Sequence, residues 1–337
     1  MGTHMHKIDI VYLWVDGSDK KWQTAKNEWL KKIQGVKTIK KNAYGDERYR
    51  DNGELKYSLR SVAENIPWIN HIYIITDFDQ VPKWLNTSHP KITIVPHRDI
   101  IPSDARPTFN SNTIEMCIHN ITDLSEHFLL MNDDLFVNRP LSPSFFFNHN
   151  GEPVTMYGIR HNHKNIDELL KKCDNYTATL ILSAKLIHEI YDQDLYKYMP
   201  THGIDPYIKS KWIECRNHPL IKPYIDKQIF NKFRTNNELQ RWIFSLYNMV
   251  NKYGHMRRAY PHKSGHCLPT DTLYNITHCR STRKSPYVCS YIQGHEKSLS
   301  QCAIFCINDS EDNSTEMLNA NIEYLDARWP NKSEFEK

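Results

Sequence analysis

The chain has 337 residues, of which 39% are apolar and 24% charged, and its formal net charge is +4. These values predict a folded globular protein and exclude an intrinsically disordered chain. The small positive excess suits an anionic substrate or a loose contact with a membrane surface. Nucleic-acid binding is not supported, because the chain has no long Lys/Arg tract and no helix-turn-helix or zinc-finger spacing.

Strands and helices are predicted to alternate along the first half of the chain. Ile8–Val15 is nearly continuous in β-branched and aromatic residues, which predicts a strand buried on both faces. Three further strands are predicted at 71–76, 91–96 and 127–132, and helices at 20–33, 54–66 and 110–121. This alternation predicts an α/β fold with a mostly parallel sheet flanked by helices. Ligands bind outside the carboxyl ends of the strands in such sheets.

The pattern changes after residue 150. Helices are predicted at Tyr176–Tyr191 and Asn237–Tyr253, and the stretch from 255 to 306 is irregular and rich in Cys and His. We expect residues 1–7 to be a cloning remnant and 8–150 to form the α/β core. Residues 151–337 are then a helical and irregular cap that completes the same site. The chain has no apolar run of about 18 residues and no recognisable secretory signal, so we expect a cytoplasmic location.

The adjacent carboxylates Asp133 and Asp134 lie between two apolar runs, "HFLLMN" and "LFV". Two like charges inside a core are costly unless something neutralises them. One interpretation is a turn with solvated acids, since Asp pairs are common in turns. The other is a site for a divalent metal ion, which prefers hard oxygen ligands. The pattern alone favours neither.

Three other polar segments also allow two interpretations each. Residues 48–60 crowd basic and acidic side chains together, and their spacing favours a solvated helix face over a binding surface. His202 follows Pro-Thr, and it is either a surface histidine or a general base, because imidazole titrates near neutrality. Arg234 precedes a capped helix, and guanidinium groups bind phosphate well, but one arginine is weak evidence.

The Cys/His-rich stretch is either a structural zinc site or a lobe of packed thiols. Its spacings match no standard zinc finger. The cysteines that would hold the zinc ion are Cys267, Cys279, Cys289, Cys302 and Cys306.

Four segments, taken in chain order, resemble the four conserved regions of the Stealth family. The first is "IDIVYLWVDGSD" at 8–19, and the second runs from "RYRDNGELKYSLRSV" to "HFLLMNDDLFV". The third contains "THGID" and "FNKFRTNNELQ", and the fourth is "CINDS" at 306–310. The second region is long and specific, and the resemblance covers nearly the whole chain. The family includes bacterial capsule polymerases and the catalytic subunit of lysosomal-enzyme N-acetylglucosamine-1-phosphotransferase.

The resemblance implies an enzyme that transfers a hexose-1-phosphate, such as N-acetylhexosamine-1-phosphate, from a UDP-sugar to a carbohydrate hydroxyl. UMP is released, and the product is a phosphodiester of a capsule or cell-surface polysaccharide. The implied fold is a nucleotide-sugar-binding GT-A/Rossmann-like core over residues 8–150. Peripheral contact with the inner face of the membrane or with capsule-assembly proteins is also implied.

The same resemblance assigns roles to individual residues. His202, Asp134 and Arg234 are implied to be catalytic, with His202 as the base. Mg²⁺ or Mn²⁺ is implied to be held by Asp133, Asp134 and Asp309. The residues implied to bind substrate are Trp14, Asp16, Arg48, Glu54, Arg60 and Asn110.

Two alternatives compete with this hypothesis. A metal-dependent glycosyltransferase would break the bond between C1 of the sugar and oxygen and release UDP, and "NDD" can mimic its acidic motif. A catalytically silent carbohydrate-binding or scaffold protein would be expected to lack His202, Arg234 or the acids, and all of these are present.

Overall fold

The fold was analysed in a computed structural model, which describes residues 6–35, 41–159, 166–201, 203–258, 273–275, 302–309 and 313–337. Its strands, in chain order, are β1 (Ile8–Leu13), β2 (Ile72–Thr76), β3 (Ile92–Pro96), β4 (His127–Asn132), β5 (Leu135–Val137), β6 (Val154–Ile159), β7 (Tyr198–Pro200), β8 (Asp205–Ile208), β9 (His255–Arg258), β10 (Leu273–Asn275) and β11 (Ile304–Cys306).

The helices are α1 (Lys20–Gln34), α2 (Glu54–Asn65), α3 (His97–Ile100), α4 (Ser111–Glu115), α5 (Ile166–Lys172), α6 (Asn175–Tyr191), α7 (Lys209–Arg216), α8 (Lys222–Gln228), α9 (Trp242–Val250) and α10 (Thr315–Arg328). Short 3₁₀ turns lie between them, including Asp46–Arg48 before α2 and Ile118–Asn120 after α4. In the part of the chain described here, no helix is long and apolar enough to cross a membrane.

The central sheet has five strands in the order β3-β2-β1-β4-β8. The first four strands are parallel, and β8 joins β4 in the antiparallel direction. This confirms the predicted α/β fold with a mostly parallel sheet. The fifth strand comes from beyond residue 150, so the two parts predicted on either side of that residue share one sheet.

The central strands are apolar on both faces because both faces are covered. Along β1, Val11 packs into one buried cluster together with Leu130, whereas Ile10 packs into a second cluster together with Leu129. All four side chains are fully buried. Each fully buried side chain of this size contributes about 1.5–3 kcal/mol relative to its exposed state. Helices on both sides therefore lock the strands in one register.

The strand order creates a crevice at the carboxyl edge of the sheet. The chain runs from β1 to β2 and β3 on one side and then returns to place β4 on the other side of β1. Leu13 and Asn132, the last residues of β1 and β4, are paired in register. The turns that follow these two strands therefore leave the sheet side by side, at the position where open α/β sheets bind ligands.

Two small sheets complete the described structure. β5 pairs with β11, which also pairs with β10, and this sheet brings the 302–309 segment beside the end of β4. The other sheet has the order β7-β6-β9.

The helix predicted at Asn110–Ile121 is shorter in the structure. Asn110 does cap it, accepting a hydrogen bond from the Asn112 N–H, but α4 ends at Glu115. The next three residues, Met116, Cys117 and Ile118, are all buried. The Cys117 N–H donates to the Ile114 carbonyl at 2.9 Å, only three residues back, and a 3₁₀ turn follows at Ile118–Asn120, so the α-helical pattern stops here.

The helix predicted at Asn237–Tyr253 begins five residues late, at Trp242. The Gln228 side chain donates to the Leu239 carbonyl at 2.8 Å and accepts from the Leu239 N–H at 2.7 Å. Both backbone groups of Leu239 are therefore used by a side chain, which keeps this stretch out of the helix.

Candidate active site

Two acidic turns meet at the carboxyl edge of the central sheet. Trp14 and Asp16 follow β1, and Asp133 and Asp134 follow the neighbouring β4. The first turn is held by Gln80, which accepts from the Asp16 N–H at 3.0 Å and donates to the Asp16 carbonyl at 2.9 Å. The structure therefore brings these four predicted site residues to one crevice.

The buried surroundings of the acid pair (Asp133 and Asp134) disfavour the ionised form of both carboxyl groups. Burial raises the pKa of Asp133 well above its usual range, and the charges of Asp134, Glu54 and Asp51 add to this effect. Burial also raises the pKa of Asp134 to about 6, although the Cys306 thiol donates a hydrogen bond to it. Among the described residues, the Oδ1 atom of Asp134 is buried and has no hydrogen-bond partner. Keeping both carboxylates ionised in this crevice is therefore unfavourable unless a cation joins them.

Glu54 and Asp51 extend this negative region from the start of α2. Glu54 accepts from the backbone N–H of Asn52 at 2.7 Å and from its side-chain amide at 2.8 Å. Burial nevertheless raises the pKa of Glu54 to about 7. Burial and the nearby charge of Asp16 raise the pKa of Asp51. The negative charges of Glu54 and Asp51 therefore lie close to both the turn after β1 and the turn after β4.

Asp309 lies beside the acid pair but is bound to other groups. Its carboxylate forms an ion pair with Arg50 at 2.9 Å and accepts from the side-chain amides of Asn52 at 3.4 Å and Asn313 at 2.9 Å. Its charge adds to the rise in the pKa of Asp134. Within the described ranges, no group of three or more His, Cys, Asp or Glu side chains is arranged to hold a metal ion. The contacts of Asp309 join the 50–54 turn to the C-terminal segment.

Two arginines form a cationic region beside the turn after β1, where the Tyr49 carbonyl accepts from the Gly17 N–H at 2.8 Å. Burial and the nearby charge of Arg234 lower the pKa of Arg48 to about 10. The Arg234 guanidinium donates to the Ser111 hydroxyl. Tyr49, which follows Arg48, donates from its hydroxyl to the Phe109 carbonyl at 2.9 Å and so ties this loop to the start of α4. Guanidinium groups repel each other, and an anion bound between them relieves this repulsion.

Asn110, predicted to bind substrate, is fully buried. Its side-chain amide donates to both oxygens of Glu238, at 3.0 and 3.1 Å, and Asn112 donates to the same carboxylate at 3.0 Å. Glu238 lies four residues after Arg234. The contacts of Asn110 therefore hold the loop that carries Arg234.

Arg60 is not brought to the crevice. Its guanidinium donates to both oxygens of Glu336, at 2.7 and 2.8 Å, and to the Trp329 carbonyl at 2.6 Å. The side chains of Arg60 and Glu336 are 7% and 3% exposed. This buried pair fastens the C-terminal end of the described chain to α2.

We expect Arg60→Met to act on stability rather than on turnover. The substitution leaves the Glu336 carboxylate buried without its cation, which costs roughly 3 kcal/mol in the free energy of unfolding. Urea unfolding measures this loss. The kcat and KM values of the folded variant should match those of the wild type, and a selective rise in KM would instead support the predicted substrate contact.

Two predicted features fall partly or wholly outside the described residues. His202 lies outside them, as do Cys267, Cys279 and Cys289. Cys302 and Cys306 are described, and both are buried. The zinc site predicted from these cysteines therefore stays a prediction.

One ion-pair cluster was missed by sequence reasoning. Arg241 contacts Asp205 at 2.9 Å and Glu115 at 3.5 Å, and all three side chains are at most 12% exposed. Asp205 lies within the segment "THGID" of the third region, and Glu115 is the last residue of α4. Arg241 directly follows "NNELQ". The only available signal was that each segment contains a charged residue next to apolar ones.

The chain was compared with protein families and with characterised proteins. Residues 6–34 match the family model "Stealth protein CR1, conserved region 1", and residues 48–155 match "Stealth protein CR2, conserved region 2". A Haemophilus influenzae protein, "Capsular polysaccharide phosphotransferase fcs1", is 33% identical over 94% of this chain and 81% of its own length. The chain belongs to the Stealth family.

Other relatives in the Stealth family have the same kind of name. "Capsular polysaccharide phosphotransferase LcbA" of Neisseria meningitidis is 33% identical over 90% of this chain and 77% of its own. "Exopolysaccharide phosphotransferase cps2G" of Lactiplantibacillus plantarum is 29% identical over 98% of this chain and 96% of its own. The predicted family and the predicted phosphotransferase class are thus confirmed. The solved galactosyltransferase LgtC, in complex with donor and acceptor sugar analogs, superposes with a TM-score of 0.42 at 12% identity, over 97% of this chain and 98% of its own.

Proposed function

We propose that this Stealth protein transfers a hexose-1-phosphate from a UDP-sugar to a hydroxyl of a carbohydrate acceptor. The products are a phosphodiester in a capsule or cell-surface polysaccharide and UMP. The proposal is supported by the names of the relatives, which are capsular and exopolysaccharide phosphotransferases. We further propose that the reaction takes place in the cytoplasm, with peripheral contact to the membrane or to capsule-assembly proteins.

The observation that carries the proposal is the buried acid pair at the carboxyl edge of the sheet, with the loop of Arg48 held against the neighbouring turn. The acid pair lies at the carboxyl end of β4, and a buried oxygen of Asp134 has no hydrogen-bond partner in the described part of the chain. Arg48 and Arg234 repel each other, and Tyr49, next to Arg48, contacts Gly17 in the turn after β1. A diphosphate together with a divalent cation would neutralise both regions, since the cation binds carboxylates and the phosphate oxygens bind guanidinium groups.

The residues present fit a hard divalent cation. Carboxylate oxygens are the preferred ligands of Mg²⁺ and Mn²⁺, and the partnerless Oδ1 atom of Asp134 is available for such a ligand bond. Asp133 and Asp134 would hold the cation, and Asp309 would contribute negative charge. Bound there, the cation would supply electrostatic neutralisation of the diphosphate.

The protein's own residues then perform the transfer. The acceptor hydroxyl attacks the phosphorus atom that carries the sugar, and a new P–O bond forms. The bond between this phosphorus atom and the oxygen that bridges to the α-phosphate breaks, and UMP leaves with the bridging oxygen. His202 accepts the proton of the attacking hydroxyl, and Arg234 stabilises the charge on the phosphoryl oxygens. Arg48 contributes to binding of the same diphosphate, while Trp14 and Asp16 line the donor side.

We expect a UDP-sugar labelled with ¹⁸O at the oxygen between C1 and phosphorus to deliver its label to the polysaccharide product. Attack at phosphorus leaves the C1–O bond intact, so the sugar also keeps its anomeric configuration. The released nucleotide should be unlabelled UMP. Mass spectrometry of the product and of the nucleotide measures both points in one reaction.

A glycosyltransferase gives the opposite pattern, because it breaks the bond between C1 and oxygen. Labelled UDP in the released nucleotide, together with a product lacking ¹⁸O, would therefore overturn the proposal. Reactions without acceptor provide the control, since they separate transfer from simple hydrolysis of the donor.

A further inference from the structure

Arg241 reaches three different elements at the edge of the crevice. It stands directly before α9, and its Nε atom pairs with Asp205 at 2.9 Å. One terminal nitrogen of its guanidinium donates to the Asn132 side-chain oxygen at 3.2 Å and lies 3.5 Å from Glu115. Its backbone N–H also donates to Glu115, at 3.3 Å. The side chain is 12% exposed, so the guanidinium is held by these contacts rather than by water.

Two of these contacts lead directly to proposed catalytic residues. Asn132 ends β4 and is bonded to Asp133 through the chain. Asp205 begins β8, where it pairs with Leu130 of β4, and it follows His202 by three residues. Arg241 thus connects the strand that presents the acid pair to the strand that follows the proposed base.

The charges around Arg241 leave it little freedom to move. Asp205 and Glu115 are both buried, and they face this one guanidinium. Burial raises the pKa of Asp205 to about 6, and Arg241 opposes this rise. A planar guanidinium can satisfy several acceptors at fixed angles, which a lysine ammonium cannot reproduce.

We infer that Arg241 is a positioning residue that orients the acid pair through Asn132 and anchors the Asp205 strand beside it. The inference rests on the proposed function, because it assigns Arg241 to the same reaction. Arg241 does not contact substrate in this role. Its contribution is to keep Asp133 and Asp134 aimed into the crevice during transfer.

The test compares Arg241→Lys, Asn132→Ala and the double variant in the full chain. Lysine keeps the positive charge beside Asp205 but loses the fork that also reaches Asn132. We expect Arg241→Lys to lower kcat for nucleotide release by about 10- to 100-fold, the usual effect of losing a residue that orients ligands. The KM for the UDP-sugar should change less than about threefold, since the acid pair is misaligned rather than removed.

Asn132→Ala should lower kcat to a similar extent, and the double variant should lose little more than either single variant. Such non-additivity indicates that the two side chains act through one contact. Arg216→Lys is the matched control, because Arg216 is 15% exposed and forms an ion pair with Asp226 away from the crevice. Its kcat should equal that of the wild type.

Several outcomes would overturn the inference: a wild-type kcat for Arg241→Lys, a loss confined to KM, or losses that add in the double variant. Thermal unfolding identifies an Arg241→Lys protein that fails to fold, and Asn132→Ala then decides alone, with a wild-type kcat refuting the inference. Recording UMP and UDP separately keeps the two hypotheses distinguishable. Release of UDP by the wild type refutes the proposed function, whereas release of UMP with an unaffected Arg241→Lys refutes only the role of Arg241.

Discussion

Asp134→Asn is expected to reduce UMP release by about 1,000-fold. A cation that neutralises a transferred phosphoryl group contributes several kcal/mol to the transition state, and each 1.4 kcal/mol corresponds to a factor of ten in rate. Asparagine has the shape of the aspartate side chain but lacks its charge. Steady-state assays of UMP release measure the loss. An excess of EDTA should abolish wild-type activity, and added Mg²⁺ or Mn²⁺ should restore it.

The same variant should be more stable than the wild type at pH 8 in EDTA. Burial raises the pKa of Asp134 to about 6 from an ordinary value of 3.8, so its ionised form destabilises the folded state. The penalty is absent below about pH 4 and fully present above about pH 6, since the folded-state pKa is the higher one. Asparagine removes it. Thermal unfolding at pH 4 and pH 8 measures this difference.

Asp226→Asn serves as the control for the turnover assays with and without EDTA. Asp226 is a half-exposed carboxylate paired with Lys222 on α8, and it makes no contact with the acid pair. Its turnover should equal that of the wild type at every metal concentration. Full wild-type turnover in excess EDTA would remove the cation from the proposed mechanism, and wild-type turnover by Asp134→Asn would remove the acid pair.

His202→Ala is expected to lower kcat by about 10²- to 10⁴-fold, the range for loss of a general base. The KM for the UDP-sugar should stay near its wild-type value, because the base acts on the acceptor hydroxyl and not on the nucleotide. The acidic limb of the pH–rate profile should also lose the contribution from protonation of the imidazole, so that the remaining limb reports the acid pair. Steady-state kinetics across pH 5–9 measure all three quantities.

His71→Ala is the matched control for His202→Ala. His71 precedes β2, at the amino edge of the sheet and opposite the crevice, where its ring contacts the Thr93 hydroxyl at 2.8 Å. Its kinetics should not change. A loss from His202→Ala that appears in the affinity for the UDP-sugar would identify His202 as a binding residue and leave the reaction without its proposed base.

The sequence by itself determined the core of the sheet and its acidic edge. The run at Ile8–Val15 and the run before Asp133 are nearly continuous in β-branched, aromatic and other apolar residues, which is typical of a parallel strand covered on both faces. Parallel strands place their carboxyl ends at one edge, so Asp16 and the acid pair were predictable neighbours. The first two of the four segments also identified the family, and they lie within the residues that match its conserved regions 1 and 2.

Only the tertiary structure decided how the remaining polar residues are used. Asn110 and Arg60 lie in segments as distinctive as those of the acid pair, yet Asn110 holds Glu238 and Arg60 holds Glu336. The partners of these side chains are 128 and 276 residues away along the chain. Local patterns of charge and apolarity carry no record of contacts at such separations.

Arg241 is the opposite case, a residue that the local sequence did not single out and that the structure places in a buried cluster. In the sequence it is an unremarkable charge beside an apolar helix, whereas in the structure it is the cation shared by Asp205, Glu115 and Asn132. Apolar periodicity depends on the solvent exposure of neighbouring residues, so it can be recognised locally. The pairing of buried charges depends on which strands and loops the fold brings together, so it became visible only once β4, β8 and the start of α9 had met.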